Sequence, residues 1–414
     1  VALILLVIFV LFQVAMPKFT ILQTLIDKLN LVTREILTGI PVIRAFSREK
    51  HEEERFEEAN ATLTRTNLFV NRCMTFMMPT MMLIMNGVSV LIIYSGAHAV
   101  DNGTMQVGNV MAFIQYAMQI IMSFLMITAM SIMLPRANVA ALRIDEVLKT
   151  EVSIQDPETP VHPSESVKGE IEFDHVSFAY PEAGENVLTD ISFKAKKGQT
   201  IAVIGSTGSG KSTLINLIPR YYDVTKGSVK VDGVDVRDMT QKELRDKLGY
   251  VPQKGVLFSG TIDSNIRYGK PEITDAQVKE AAEVAQATEF IDTKPEKYES
   301  PVSQGGTNVS GGQKQRLSIA RAIAKDPEIF IFDDSFSALD FKTDSQLRKA
   351  LKEYTKDATT VIVAQRISTI LGADQIIVLD DGHMAGIGTH KELMANCEVY
   401  QQIARSQLSE EELA

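Results

Sequence analysis

Three stretches of the chain are almost wholly apolar, and polar segments separate them. Residues 1–12 are all apolar, and residues 73–100 and 103–135 contain no Asp, Glu, Lys or Arg. The first stretch is too short to cross a bilayer and suits the end of a helix, which indicates part of a longer protein, whereas the other two are long enough to span one. The pattern predicts a helical membrane domain over residues 1–150.

The long polar segment between the first two apolar stretches is rich in basic residues. They are Lys18, Lys28, Arg34, Arg44, Arg48, Lys50, Arg55, Arg65 and Arg72. The positive-inside rule therefore places this segment in the cytoplasm and the short turn at residues 101–104 outside. Apolar residues recur at helical spacing, as at Leu22, Leu25 and Ile26, so the helices are predicted to continue beyond the bilayer. We expect the chain to bend back near residues 39–41 and 46–54.

Thirteen of the 17 methionines lie in the two full spans. Two sets recur every four residues: Met74, Met78 and Met82, then Met118, Met122, Met126 and Met130. This spacing puts each set on one helix face, and flexible thioethers adapt to apolar ligands of varied shape. Ordinary helix packing or lipid contact explains the methionines equally well.

Composition changes after the apolar third. Residues 156–166 contain three prolines among polar residues, which favours an extended linker, predicted over 151–168. From residue 169 short β-rich runs alternate with helical ones, a pattern typical of an α/β domain. The net charge of −10 and the pI of about 5.3 give no basic patch for nucleic acid. Cys73 and Cys397 have no metal or redox spacing and are predicted to be free thiols.

A phosphate-binding loop pattern follows the β-rich run at residues 200–204. It has the complete form G-x-x-x-x-G-K-S/T and comprises Gly205, Ser206, Thr207, Gly208, Ser209, Gly210, Lys211, Ser212 and Thr213. Its glycines let backbone N–H groups close around phosphate oxygens at a helix N-terminus. Lys211 brings a charge to the outer phosphates and Ser212 offers a hydroxyl to Mg²⁺. The pattern predicts an ATP site that uses Mg²⁺.

A second β-rich run, residues 329–332, is apolar and ends in Asp333 and Asp334. Burial of such a strand aims its terminal carboxylate at the nucleotide. Asp333 is therefore predicted to contact Mg²⁺, directly or through water.

The residues around these motifs resemble the nucleotide-binding domain of ABC transporters over positions 169 to about 401. Residues 308–316 resemble the LSGGQ signature, with Val309 where Leu is usual. The resemblance implies that Tyr180 stacks on adenine, that Gln253 is the Q-loop residue beside Mg²⁺, and that residues 337–340, including Asp340, form the D-loop. It also implies that the signature contacts ATP in trans through Ser310, Gly311, Gly312 and Gln313.

In that family two motor domains stack head to tail, and each ATP lies between one chain's phosphate loop and the other chain's signature. Residues 310–312 begin a helix whose free N–H groups suit a γ-phosphate from outside. Residues 1–150 look like the last three of about six helices of an exporter half. The resemblance thus implies a partial exporter membrane domain, then a nucleotide-binding domain over 169–404 and a tail over 405–414.

Two catalytic positions depart from the family pattern. Asp334 stands where the family has a Glu that polarises the attacking water, and a carboxylate one methylene shorter should slow hydrolysis. Gln365 stands where the family has a switch His, and an amide cannot become a cation. Together they resemble the degenerate subunit of heterodimeric multidrug exporters, while variation in a slow homodimer is the simpler alternative.

The sequence therefore indicates a plasma-membrane half-transporter whose motor lies in the cytoplasm. ATP would drive export of apolar or amphipathic small molecules, and a second half-transporter would be the partner. This chain's own ATP site would be slow, and its signature would complete the partner's site. A homodimeric lipid or peptide exporter and an ATP-gated channel are the alternatives. Nucleic acid is not expected as a partner.

Overall fold

The computed structural model describes residues 2–408 except Glu182 and Ala338, and for some positions in the long helices it describes the backbone alone. Ala338 of the predicted D-loop and residues 409–414 of the predicted tail therefore lie outside the described residues. The chain divides after Glu151 into two compact units.

Three long helices build the first unit: α1 (Ala2–Ala45), α2 (Glu49–Asp101) and α3 (Val107–Lys149). Within the described residues, α2 and the Val107–Phe124 part of α3 are long and apolar enough to cross a membrane. The predicted bend near residues 39–41 is wrong, because α1 continues through Pro41 to Ala45. The chain reverses at residues 46–48, where Ser47 has a φ of 51°.

The predicted extended linker contains no helix or strand between Thr150 and Ile171. Several hydrogen bonds attach it to the segment at residues 238–243. Asp156 Oδ1 accepts from the Gln241 N–H at 2.8 Å, and the Val161 N–H donates to the Asp238 carbonyl at 2.8 Å. This linker is therefore held at its middle by the start of the helix at Gln241.

The second unit combines strands and helices in the alternation that the sequence predicts. Its strands are β1 (Ile171–Phe178), β2 (Leu188–Ala195), β3 (Thr200–Gly205), β4 (Lys226–Val231), β5 (Val234–Asp235), β6 (Leu248–Val251), β7 (Gly260–Thr261), β8 (Pro301–Val302), β9 (Ile329–Asp333), β10 (Thr359–Val363), β11 (Gln375–Asp380) and β12 (His383–Gly388). Its α-helices are α4 (Lys211–Leu217), α5 (Gln241–Asp246), α6 (Ile262–Ile266), α7 (Asp275–Val284), α8 (Thr288–Asp292), α9 (Gly311–Ala324), α10 (Phe341–Tyr354), α11 (Ile367–Ile370), α12 (His390–Asn396) and α13 (Glu398–Gln407).

The central sheet has the strand order β12-β11-β3-β10-β9-β6, and a four-stranded sheet has the order β2-β1-β4-β5. Strands β3, β10 and β9 are parallel neighbours, so their carboxyl ends meet at one edge. Ligands bind at that edge in open α/β sheets. Strand β9 is buried along its whole length because Phe330 and Phe332 pack on one side and Ile329 and Ile331 on the other.

Helix α13 is anchored in its own apolar cluster. Tyr400 and Ala404 are fully buried against Ala364 and Ile367, which flank the end of β10. The Tyr400 hydroxyl also hydrogen-bonds His390 Nδ1 at 2.8 Å. The hydrogen bond links α13 to α12, and the apolar packing places α13 beside the carboxyl end of β10.

We expect Tyr400→Ala to lower the free energy of unfolding of this unit by about 3–5 kcal/mol, because it empties a fully buried aromatic position. Tyr400→Phe, which removes only the hydroxyl, should cost about 1 kcal/mol. Urea unfolding of the purified transporter measures both. Gln402→Ala on the exposed face of α13 is the control, and an equal loss in that variant would contradict the packing assigned to Tyr400.

Candidate ATP-binding and hydrolysis site

The phosphate loop connects β3 to α4 at the carboxyl edge of the central sheet. Two of its glycines are required, Gly205 by the close approach of other backbone and Gly210 by its left-handed conformation and a close side chain. A Cβ at Gly205 would lie 2.1 Å from the Leu379 carbonyl oxygen, and one at Gly210, whose φ is 95°, would lie 2.7 Å from Leu188 Cδ2. The loop can therefore keep this path only with glycine at both positions.

Lys211, the first residue of α4, folds its ammonium group back over the loop. Its Nζ donates to the carbonyl oxygens of Gly205 at 2.9 Å and Ser206 at 2.5 Å. Burial lowers the pKa of Lys211, and the nearby carboxylates of Asp334 and Asp333 oppose that shift. The loop thus holds a half-buried cation, a group suited to phosphate oxygens.

The predicted Mg²⁺ pair is brought together by the adjacency of β3, β10 and β9. Ser212 Oγ donates to Asp333 Oδ1 at 3.1 Å, and Asp333 is only 6% exposed. Burial raises the pKa of Asp333, and repulsion by Asp334 adds to the rise. A hydroxyl and a carboxylate are hard oxygen donors of the kind Mg²⁺ prefers.

Asp334 joins the two other predicted residues of the hydrolytic site. Its Oδ2 accepts from Gln365 Nε2 at 2.7 Å and from Gln253 Nε2 at 3.3 Å. Its backbone is left-handed, with a φ of 45°, and its N–H donates to the Val363 carbonyl at the end of β10. The carboxylate is thus held between two neutral amides.

Tyr180 lies at the far end of the phosphate loop. Its hydroxyl hydrogen-bonds Thr213 Oγ1 at 3.0 Å, and its ring packs edge-on against Tyr222, with centroids 5.1 Å apart. The structure therefore places the predicted adenine-stacking ring beside the loop, together with a second aromatic that the sequence did not single out.

The signature forms the start of α9, as predicted. Ser310 is the N-cap: its Oγ accepts from the Gln313 N–H, while Gln313 Oε1 accepts from the Ser310 N–H. Gly311 is exposed, and a Cβ there would meet nothing within 4 Å. Among the described residues no hydrogen bond joins Ser310, Gly311, Gly312 or Gln313 to the phosphate loop.

Asp340 of the predicted D-loop caps α10, since its Oδ1 accepts from the Thr343 N–H at 3.0 Å. That hydrogen bond lowers the pKa of Asp340. Ser337 in the same loop donates to the Asp334 carbonyl at 3.0 Å. The D-loop is therefore linked directly to the hydrolytic carboxylate residue.

Two glutamines that support the site were missed by sequence reasoning. Gln315 is 2% exposed, and its amide spans the Q-loop by contacting the Pro252 carbonyl and the Gly255 N–H. Gln407 at the end of α13 hydrogen-bonds the backbone of Gln365 and Ile367. These residues belong to the loop that follows β10, residues 364–367, which we call the switch loop. Burial of a polar side chain near a motif cannot be read from one sequence, although the position of Gln315 two residues after the signature glutamine was a usable signal.

Both units match known protein families. Residues 188–337 match the ABC transporter family and residues 1–124 match the ABC transporter transmembrane region. An uncharacterized ABC transporter ATP-binding protein of Mycobacterium tuberculosis is 45% identical over 395 residues, which are 95% of this chain and 68% of that protein. A Bacillus subtilis protein described as "Probable multidrug resistance ABC transporter ATP-binding/permease protein" is 38% identical over 392 residues, 94% of this chain and 67% of that protein.

A solved structure of a bacterial Atm1-family ABC exporter with ATP bound matches with a TM-score of 0.81 at 28% identity, over 98% of this chain and 72% of that chain. The predicted fold class, a helical membrane domain joined to an α/β nucleotide-binding domain, is confirmed. So are ATPase activity coupled to transport and a plasma-membrane location with the motor in the cytoplasm. Since both halves of the chain match the two parts of one architecture in their proper order, the protein belongs to the ABC transporter family and is an ABC exporter half-transporter that acts in a dimer.

Proposed function

We propose that this half-transporter pairs with a different half-transporter and exports apolar or amphipathic small molecules. In this proposal the chain retains ATP at its own phosphate loop with little turnover. Its signature helix completes the faster site of the partner. The observation that carries the proposal is the engagement of Asp334 by two amides.

The environment of Asp334 argues for slow hydrolysis. A general base must have an oxygen within hydrogen-bond reach of the attacking water. Here one carboxylate oxygen accepts from Gln365 and Gln253 together, and the side chain is shorter than Glu by one methylene. The left-handed backbone at Asp334 fixes where that short side chain starts, so it has little freedom to extend.

Gln365 supports the same conclusion. An amide can donate to a γ-phosphate but cannot carry the positive charge that an imidazole acquires. Its donor group is already bonded to Asp334 at 2.7 Å. The switch position therefore offers orientation without charge stabilisation of the transition state, a contribution that is often the largest in catalysis.

Mg²⁺ fits the donors that this edge of the sheet provides. Ser212 and Asp333 would hold it, with Gln253 nearby through its amide oxygen. The ion would neutralise charge on the phosphates. Asp333 is buried, and the Ser212 hydroxyl that donates to it is neutral. A bound cation would therefore stabilise the Asp333 carboxylate.

The membrane unit supports an apolar cargo. Met78, Met82, Met122, Met126 and Met130 each expose more than half of their surface. Such side chains adapt to varied apolar shapes, and one similar protein of B. subtilis bears a multidrug name. ATP would bind the closed motor dimer better than the open one, so closure would shift the membrane domain between inward-facing and outward-facing states.

A single-turnover experiment on the intact complex tests the proposal. ATP labelled on its α-phosphate is trapped, and the nucleotide beside Lys211 is identified separately from that in the partner. We expect mostly ATP beside Lys211 and ADP in the partner. The double variant Asp334→Glu with Gln365→His should convert the retained ATP at least about tenfold faster, because it supplies a longer base and an ionisable switch residue.

The conversion in that variant should also depend on pH near the ordinary histidine pKa of about 6.5, whereas the unaltered chain should show no such dependence. Equal ADP formation at both loops of the unaltered complex would contradict the slow-site proposal. Mass spectrometry of the detergent-extracted complex tests whether the partner is a different chain. A single species of subunit would favour a homodimer.

A further inference from the structure

Gln407, the last residue of α13, bridges the loop that follows β10. Its Nε2 donates to the Gln365 carbonyl at 2.9 Å, and its Oε1 accepts from the Ile367 N–H at 2.8 Å. Both ends of one amide are thus used on two backbone groups that flank Arg366. The side chain of Gln365, on the same short loop, reaches Asp334 at 2.7 Å.

Backbone hydrogen bonds hold the switch loop on either side of its centre: the Ala364 N–H donates to the Val203 carbonyl, and the Arg366 carbonyl accepts from the Thr369 N–H. Gln365 and Arg366 are exposed, and the helix after them, α11, has only four residues. Its neighbours Ala364 and Ile367 are buried, at 3% and 0% exposure, in the cluster that also receives Tyr400 and Ala404 of α13. Apolar packing therefore fixes α13 against the ends of the loop, and Gln407 fixes the exposed centre.

We propose that Gln407 is a positioning residue that sets the reach of Gln365 toward Asp334 and the nucleotide. The inference rests on the proposed role of Gln365 as the switch residue. The C-terminal helix would then control how firmly this chain's loop retains nucleotide. A helix that is far from the motifs in sequence thereby becomes part of the hydrolytic site's support.

The test uses the intact transporter and follows loss of trapped labelled nucleotide from the loop that contains Lys211. Gln407→Leu removes both hydrogen bonds, and we expect nucleotide loss about fivefold faster or more, the scale of two neutral hydrogen bonds. Gln407→Glu keeps the acceptor for the Ile367 N–H and removes donation to Gln365, so it should fall between Leu and the parent. Gln402→Leu on the same helix, where the exposed side chain hydrogen-bonds Glu398, should leave the rate unchanged.

A double-mutant cycle distinguishes positioning from simple destabilisation. In a Gln365→Ala background Gln407→Leu should change the rate less than about twofold, because the group it positions is gone. An undiminished effect in that background, or an equal effect of Gln402→Leu, would overturn the proposal. The chemical form of the trapped nucleotide reports separately on the slow-site proposal: ADP beside Lys211 would refute that proposal, while the ratio of rates between variants would still test Gln407.

Discussion

Gly311→Leu should reduce the ATPase activity of the assembled transporter by at least about a hundredfold, the scale on which loss of a preorganised donor to a transition state acts. Gly311 is the first residue of α9, and a Cβ there meets nothing within 4 Å in this chain. The leucine is therefore compatible with the fold of its own subunit. The leucine would occupy the space into which the γ-phosphate of the ATP on the partner's phosphate loop must enter.

Two comparisons make this result specific. Gly372→Leu introduces the same side chain at another glycine with open surroundings and should leave the ATPase rate nearly unchanged. Asp334→Ala should reduce it less than about tenfold, since the slow site contributes little to turnover. If Asp334→Ala were the more damaging change, the assignment of the faster site to the partner would be reversed.

Local spacing explains why much of the site could be predicted from sequence. The phosphate-loop pattern lies within nine consecutive residues, 205–213, and Ser310 caps its helix through a residue three positions on. Interactions of this kind lie within a few residues, so one sequence records them. The same holds for Asp333, which a fully buried strand delivers to the sheet edge.

Contacts between distant segments could not be predicted in this way. Gln253, Asp334 and Gln365 meet because β6, β9 and β10, the strands that they follow, are neighbours in the sheet, and strand order is not recorded in local pattern. The bond between Gln407 and the switch loop depends on how α13 packs against Ala364 and Ile367. Of the two predicted bend positions in the first unit, 46–54 contains the observed turn, whereas 39–41 was wrong for a related reason: Pro41 suggested a break, but α1 packs against α2 and continues to Ala45.

Phe46→Ala should cut transport about tenfold while changing ATP binding less than about twofold, because coupling between distant sites is carried by a rigid contact. Phe46 lies in the turn between α1 and α2 with 74% of its surface exposed. The turn is braced nearby by an ion pair between Arg55 and Glu35 at 2.6 Å. An exposed aromatic on a braced turn is a suitable contact for a motor domain. Leu37→Ala, at an exposed apolar position of α1 outside the turn, is the matched control and should transport normally.

The same turn should cross to the partner's motor. We expect a cysteine introduced for Arg48, which directly precedes α2, to form a short cross-link with the motor domain of the opposite subunit near its Q-loop. A charged turn that is merely solvated would need no aromatic, whereas a docking turn combines Phe46 with charged neighbours such as Glu49 and Lys50. Cross-linking of the purified complex, followed by peptide mapping, identifies the captured domain. Capture of this chain's own motor alone would refute the crossed arrangement, because motor closure in one subunit could then reach the membrane helices of the other only through the dimer interface between the motors.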